Sequence, residues 1–227
     1  MTKLDTATIN KLIGVDDIFK APSTLMKRLL NKTDREKMFD AFLNINKDVS
    51  YDWFTNYFQD EAAQRKKEKQ DFTPKSISNL VNQISFDSTN DNYYEPAAGT
   101  GGMAIEHWWQ ECLKQSPFSY KPHEHFMVLE ERSERAIPFL LFNLSIRGIN
   151  AAVNQCDSLD RGSKKYNKGV FFIQNIKDNP IGYSSVNIMP YTDEVKHCLD
   201  IEDWDKDYYK PHVEDKFKDW SIYDNAK

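Results

Sequence analysis

The residues with the types and spacing to do chemistry are Tyr93-Tyr94-Glu95-Pro96-Ala97-Ala98-Gly99-Thr100-Gly101-Gly102-Met103-Ala104-Ile105, which read as a strand end, a glycine turn and a helix start in immediate succession. Three glycines within four positions let the backbone turn sharply and approach a ligand with no side chain in between. The first amides of the helix that follows are donors the helix itself leaves unpaired. That is the chemistry of a nucleotide or nucleoside site. The spacing is not the GxGxxG of dinucleotide folds, and no Lys-Ser or Lys-Thr follows as a phosphate-cradling loop requires. A second candidate lies downstream, where the apolar run Phe126-Met127-Val128-Leu129 ends in Glu130-Glu131. An ionised acid at the end of a second strand can accept from both hydroxyls of a ribose.

Positioning these groups takes alternating strands and helices. Apolar runs predict strands near 91–95, 126–130, 151–155 and 169–174, with a helix from Ala104 to Lys114 and another from about Ser133 to Arg147, where Gly148 is a stop. This alternation predicts a doubly wound α/β sheet of the cofactor-binding type. Ahead of it, residues 1–69 read as helical. Ile9, Leu12, Ile13, Leu25, Met26, Leu29 and Leu30 fall at helix-like spacing, with breaks near Gly14 and Ala21-Pro22, and Met38, Phe39, Phe42 and Leu43 follow. Ser23 is the expected cap of the second helix and Thr33 or Asp34 of the third. Tyr51-Asp52-Trp53-Phe54 leads into a fourth, aromatic-rich helix. The predicted organisation is an N-terminal helical segment (1–69), a cofactor-binding domain (70–190) and an acidic, aromatic-rich tail (191–227).

Composition narrows the function classes. With 227 residues and 40% hydrophobic content the chain can bury one good core. No apolar run approaches the roughly 18 residues of a membrane span, and the polar start lacks a signal-peptide core, so a cytoplasmic protein with no membrane contact is expected. Cys112, Cys156 and Cys198 are widely spaced and odd in number, and His107, His123 and His125 lack metal-ligand spacing, so neither a disulfide framework nor a metal centre is expected. The net charge of −5 is unevenly placed: residues 190–227 hold 6 Lys against 11 Asp and Glu, and the rest of the chain carries 24 charges of each sign. A neutral body with an acidic tail argues against a surface that grips nucleic acid unaided. The basic run Arg65-Lys66-Lys67-Glu68-Lys69 is read as a solvated helix end or a phosphate contact.

Glu95-Pro96-Ala97-Ala98-Gly99-Thr100-Gly101-Gly102 resembles the S-adenosylmethionine loop of the adenine-specific DNA methyltransferases, in particular the modification subunits of type I restriction systems. The resemblance extends to Phe72-Thr73-Pro74, which sits about twenty residues upstream as the segment that closes over the methionine half of the cofactor. Read from its residues alone, Thr73-Pro74 is a helix start. Glu131-Arg132-Ser133-Glu134-Arg135-Ala136 and Asn143-Leu144-Ser145-Ile146-Arg147-Gly148-Ile149 match the family's ribose-binding acid and the helix behind it. The resemblance assigns that role to Glu131, with Glu130 as the alternate. Cys156-Asp157-Ser158-Leu159 stands where the family has Gly-Asp-Ser/Thr-Leu, which implies that Asp157 accepts from the adenine amino group of the cofactor. An S-adenosylmethionine-dependent methyltransferase (Rossmann-like) sheet is implied.

The family places Asn/Asp-Pro-Pro-Tyr/Phe after the fourth strand, to hold the target amine and stack on the extruded base. Here the strand is followed by Asn175-Ile176-Lys177-Asp178, and Asn179-Pro180 with Tyr183 lies just beyond. Three readings stay open: Asn175 as a remnant of the motif, Asn179-Pro180 with Tyr183 as a shifted motif, or neither as catalytic. About 50 residues follow the fourth strand where the family spends 100 or more, so a complete seven-stranded sheet and a target-recognition domain are not expected. The aromatic tail is read as a wrap over the sheet edge, with nucleic-acid mimicry or docking of a basic partner as the lesser reading. The leading expectation is an adenine-specific DNA methyltransferase, or a compact phage-like relative, that transfers a methyl group without a metal and meets DNA with a partner subunit. The rivals are a non-catalytic relative acting as a regulatory or anti-restriction partner, and an RNA or protein amino-methyltransferase.

Overall fold

The computed structural model describes residues 4–64, 93–116, 119–159, 167–175, 177–179, 181–205 and 208–214. Four helices come first: α1 (Thr6–Ile13), α2 (Ala21–Leu29), α3 (Lys32–Ile45) and α4 (Thr55–Gln64). Short polar side chains start two of them by accepting a first-turn amide, Asp5 from Thr8 at 2.8 Å and Asn31 from Asp34 at 3.0 Å. Asn31, not Thr33 or Asp34, is therefore the cap of α3. Ser23 is not a cap either: α2 begins two residues earlier, with Pro22 in its first turn, and the Ser23 hydroxyl donates to the Lys20 carbonyl at 3.1 Å.

Five strands form one sheet in the order β1 (Tyr93–Glu95), β2 (Phe126–Glu130), β3 (Asn150–Gln155), β4 (Gly169–Gln174) and β5 (Ser185–Ile188). β1, β2 and β3 are parallel, joined through α5 (Gly102–Lys114) and α6 (Ile137–Ile146). Their carboxyl ends at Glu95, Glu130 and Gln155 share one edge of the sheet, here called the loop edge. The α/β class and the four expected strands are found. The winding is not as expected, because β4 runs antiparallel to β3 and β5 antiparallel to β4, so the described sheet is mixed and sequential rather than doubly wound. The connectors give the reason. A parallel return needs a crossover, usually helical and of a dozen or more residues, whereas the 13 residues 156–168 are mostly polar, with Cys156, Leu159 and Tyr166 widely spaced among them.

α6 is buried at every position because it lies between the sheet and the N-terminal helices. Phe139 and Phe142 meet Phe54 at 4.8 and 5.1 Å between ring centroids, and Phe142 meets Phe39 and Phe42 at 4.9 and 4.8 Å. The edge-to-face pairs fuse the helical layer and the sheet into one core. Trp108 is buried in this core and Trp109 packs against it. On the opposite sheet face a smaller cluster joins Ala152, Val170 and Phe172 to Met189, Val195, Ile201 and Trp204, covered by α7 (Asp193–Cys198). The chain then returns beside β5, where His212 and Ile188 exchange backbone hydrogen bonds at 2.7 and 2.9 Å. The buried guanidinium of Arg35 on α3 donates to both carboxylate oxygens of Glu214. Phe217, Trp220, Tyr223 and the run 65–69 lie outside the described residues. Among the described residues, no helix is long and apolar enough to cross a membrane.

Candidate functional site

At the loop edge, β1 ends in Glu95 and residues 96–101 turn into α5. Gly99 and Gly101 have φ of +57° and +94°, the left-handed region that side chains resist. A Cβ at Gly101 would also stand 2.8 Å from Leu140 Cδ1, so this glycine is required twice over. At Gly102, in the first helical turn, a Cβ would meet nothing within 4 Å. The space beside the first helical residue is therefore open.

Two carboxylates hold this turn. Glu131, at the end of β2, accepts from the Gly99 amide at 2.7 Å through one oxygen and from the Ser133 amide at 2.6 Å through the other. The acid read as the ribose ligand thus also fixes the glycine loop, and a carboxylate with about four lone-pair sites keeps capacity for further donors. Glu95 accepts from the Tyr93 hydroxyl at 3.0 Å. Burial pushes the Glu95 carboxyl up to about 7; the Tyr93 bond opposes the rise, the nearby Glu131 charge adds to it, and the Ala104 amide opposes it. Pro96 and Ala97 are exposed on the turn, and Thr100 is buried beneath it.

Asp157 follows β3 at the same edge, with its carboxylate 3.1 Å from the exposed Arg132 guanidinium. Between the two acids, Glu130 is buried and its carboxyl is raised by burial, with a bond from Cys156 acting against that. Asn154 Oδ1 is buried with no hydrogen-bond partner among the described residues, an acceptor to spare at the strand end. The structure therefore gathers Glu95, Pro96, Ala97, Gly99, Thr100, Gly101, Gly102, Glu131 and Asp157 along one edge. Phe72, Thr73 and Pro74 lie outside the described residues. A hydrogen-bonding acid on a glycine turn, an open helix start and a spare acceptor fit a nucleoside-bearing cofactor. Among the described residues, no group of three or more His, Cys, Asp and Glu is placed to hold a metal ion.

Asn175, Asn179 and Tyr183 are brought together with one another but not with this edge. Because β4 is antiparallel, Gln155 pairs with Gly169 and Ala151 with Ile173, so β4 ends where β3 begins, roughly 17 Å of strand away from the glycine loop. That register separates the residues read as catalytic from the loop read as the cofactor site. Asn175 works there as a staple. Its amide accepts from Asn179 N at 3.2 Å and donates to the Asn179 and Gly148 carbonyls at 2.7 and 3.3 Å, and its backbone N–H donates to Asn150 Oδ1 at 2.6 Å. Tyr183 donates to Asp40 at 2.7 Å. The three line a pocket of about 260 Å³ with Lys32, Arg35 and Lys177. Pro180 lies outside the described residues.

Sequence reasoning missed two features of the loop edge. Asp52 receives the Thr100 hydroxyl at 2.5 Å, although 48 positions separate them, and nothing in the local run Tyr51-Asp52-Trp53-Phe54 marks that partner. Met189-Pro190-Tyr191 leaves β5, which runs parallel to β1–β3, at the loop edge, where Tyr191 donates to the Lys168 carbonyl at 2.9 Å and packs against Trp204. A Pro-Tyr pair directly after an apolar strand was the available signal.

The family model described as N-6 DNA Methylase matches residues 45–188, more than half of the chain. The chain is similar to the type I restriction enzyme MjaVIII methylase subunit of Methanocaldococcus jannaschii, 23% identical over 98% of this chain and 36% of that protein. It thus spans about a third of that relative's length. No solved structure gives a significant match. The matched span holds the whole sheet, the glycine turn and both strand-end acids, and by it the chain belongs to the N-6 DNA methylase family.

Proposed function

We propose that the chain is an S-adenosylmethionine-dependent DNA methyltransferase acting on the exocyclic amino group of adenine, with the cofactor held along the loop edge. The observation that carries this is Glu131 clasping the Gly99 amide: the acid that meets a ribose and the turn that admits a nucleoside are one hydrogen-bonded unit. In this reading Glu131 takes the ribose hydroxyls, Asp157 the adenine amino group, and Gly99, Thr100, Gly101 and Gly102 shape the floor, with Pro96 and Ala97 at the rim. Glu95, raised toward neutrality, ionises when a cationic part of the cofactor comes beside it. Phe72-Thr73-Pro74 closes over the methionine half. Bound S-adenosylmethionine supplies an activated methyl group on its sulfonium, and the protein supplies position and electrostatics.

The acceptor residues belong at the loop edge in this reading, where Pro190-Tyr191 emerges, and Asn175 and Asn179 serve the fold. DNA is met with a partner subunit, and the setting is a cytoplasmic restriction-modification system. Calorimetry with S-adenosylmethionine and S-adenosylhomocysteine tests the site: binding that Glu131→Ala weakens about tenfold or more supports it, since bonds to a charged group are worth about 1.5–3 kcal/mol. A folded wild type that takes up neither ligand refutes the proposal. Labelled cofactor with adenine-containing DNA, RNA and protein acceptors then tests the acceptor class.

A further inference from the structure

We propose that Asp52, on the turn before α4, is a positioning residue for the glycine loop, so that the N-terminal helices set how tightly the loop edge binds its cofactor. The affinity part of this proposal rests on the cofactor reading above; the loop-positioning part does not.

Thr100 stands between two residues of left-handed φ, Gly99 and Gly101, and is the point at which the turn is anchored from below. Its hydroxyl and its carbonyl are held by one largely buried cluster. The hydroxyl donates to Asp52 Oδ2 at 2.5 Å, and the carbonyl accepts from Asn143 Nδ2 at 2.7 Å. The same Asn143 amide donates to Asp52 Oδ1 at 2.8 Å, which closes the cluster. Asp52 is itself fixed from its own segment by the Phe54 amide and the Thr55 hydroxyl, both at 2.9 Å. Arg147 then ties the segment to α6. It donates to the Asn143 carbonyl and side chain at 2.8 and 2.9 Å and to the Val49 and Tyr51 carbonyls at 2.8 and 2.7 Å, and lies 5.3 Å over the Trp53 ring.

Asp52 thus accepts four donors, which uses the lone pairs of a carboxylate and leaves it no catalytic part. Its action runs through Thr100. Asn is a poor substitute, because one of its two ends presents N–H groups to neighbours that already donate. A glycine-flanked turn that loses this anchor samples more conformations, and a ligand that needs one of them pays that fraction in affinity.

The test uses Asp52→Asn, Thr100→Val and the double variant. Tyr57→Phe is the control, since it removes a 2.5 Å bond to Asn10 within the helical layer, away from the loop. Amide hydrogen exchange without ligand should rise about tenfold or more at residues 98–104 in Asp52→Asn and in Thr100→Val, and stay at the wild-type rate there in Tyr57→Phe. By calorimetry, S-adenosylhomocysteine should bind about tenfold or more weakly to either single variant, and the double variant should be little worse than Asp52→Asn alone. Unchanged loop exchange in Asp52→Asn overturns the proposal, as do additive losses in the double variant. Should Asp52→Asn not fold, the milder Thr100→Val carries both measurements. A wild type that binds no ligand overturns the cofactor reading and the affinity claim with it, while the exchange measurement still decides whether Asp52 positions the loop.

Discussion

Gly101 and Gly102 are neighbours in the sequence and differ in what they ask of a substituent. At Gly101 an added methyl meets both a left-handed backbone and Leu140, so Gly101→Ala should destabilise the protein by about 1–3 kcal/mol, read from urea unfolding. Gly102→Ala should leave stability near wild type, since its methyl enters open space, yet weaken S-adenosylhomocysteine binding if that space receives the ligand. Glu95 makes a pH prediction. Its native carboxyl binds a proton more tightly than the unfolded chain does, so it favours the fold below the ordinary carboxylate range, and that contribution is lost as pH rises toward about 7. Ligand affinity should rise over the same window if a cationic group of the cofactor needs Glu95 ionised. Glu95→Gln should flatten both profiles relative to wild type, which also removes the ligand's own titration from the comparison. These residues were legible in sequence because their roles are local: a glycine turn and a strand-end acid are written in adjacent positions. Asp52 was not, because its role is a contact to Thr100 made only when the helical layer folds onto α6.

The strands were legible as elements and their directions were not. A strand's own residues report burial and period, whereas its direction depends on the connector before it. β4 turns back along β3, and Asn175 therefore stands at the sheet edge opposite the glycine loop. As a staple, Asn175 should matter to stability and not to binding. Asn175→Ala strands the Asn179 amide and should cost about 1–3 kcal/mol in urea unfolding, with S-adenosylhomocysteine affinity unchanged. Loss of affinity without loss of stability would return Asn175 to the ligand site. The Arg35–Glu214 pair is a second test at this scale, because it fastens the returning chain beside β5 to α3. Glu214→Ala leaves a buried guanidinium without its counter-charge and should cost about 3–5 kcal/mol, whereas replacing both partners with apolar residues of similar volume should cost far less. Equal losses in the single and paired replacements would show that the link acts through packing alone.

For the whole molecule, the proposed function raises the question of how a chain of net charge −5 would meet DNA. Affinity for a duplex comes largely from neutralised phosphates, and each one adds about 0.9 to the slope of log K against log salt. The body of this chain balances its charges, and residues 190–227 are acidic. Part of that acidic stretch is not free to swing away from an incoming duplex: Trp204 is packed on the sheet and Glu214 is pinned by Arg35. A bound duplex must therefore approach with that negative charge in place, and the chain alone should bind DNA weakly, with a salt slope equivalent to about three phosphates or fewer. Sequence selectivity should appear when a partner subunit supplies the remaining phosphate and base contacts. Fluorescence anisotropy with duplexes of different sequence, measured across a salt series with the chain alone, checks this directly. Tight, sequence-selective binding at physiological salt would mean that the chain carries a basic reading surface of its own, and the basic run 65–69 would be the first place to look for it.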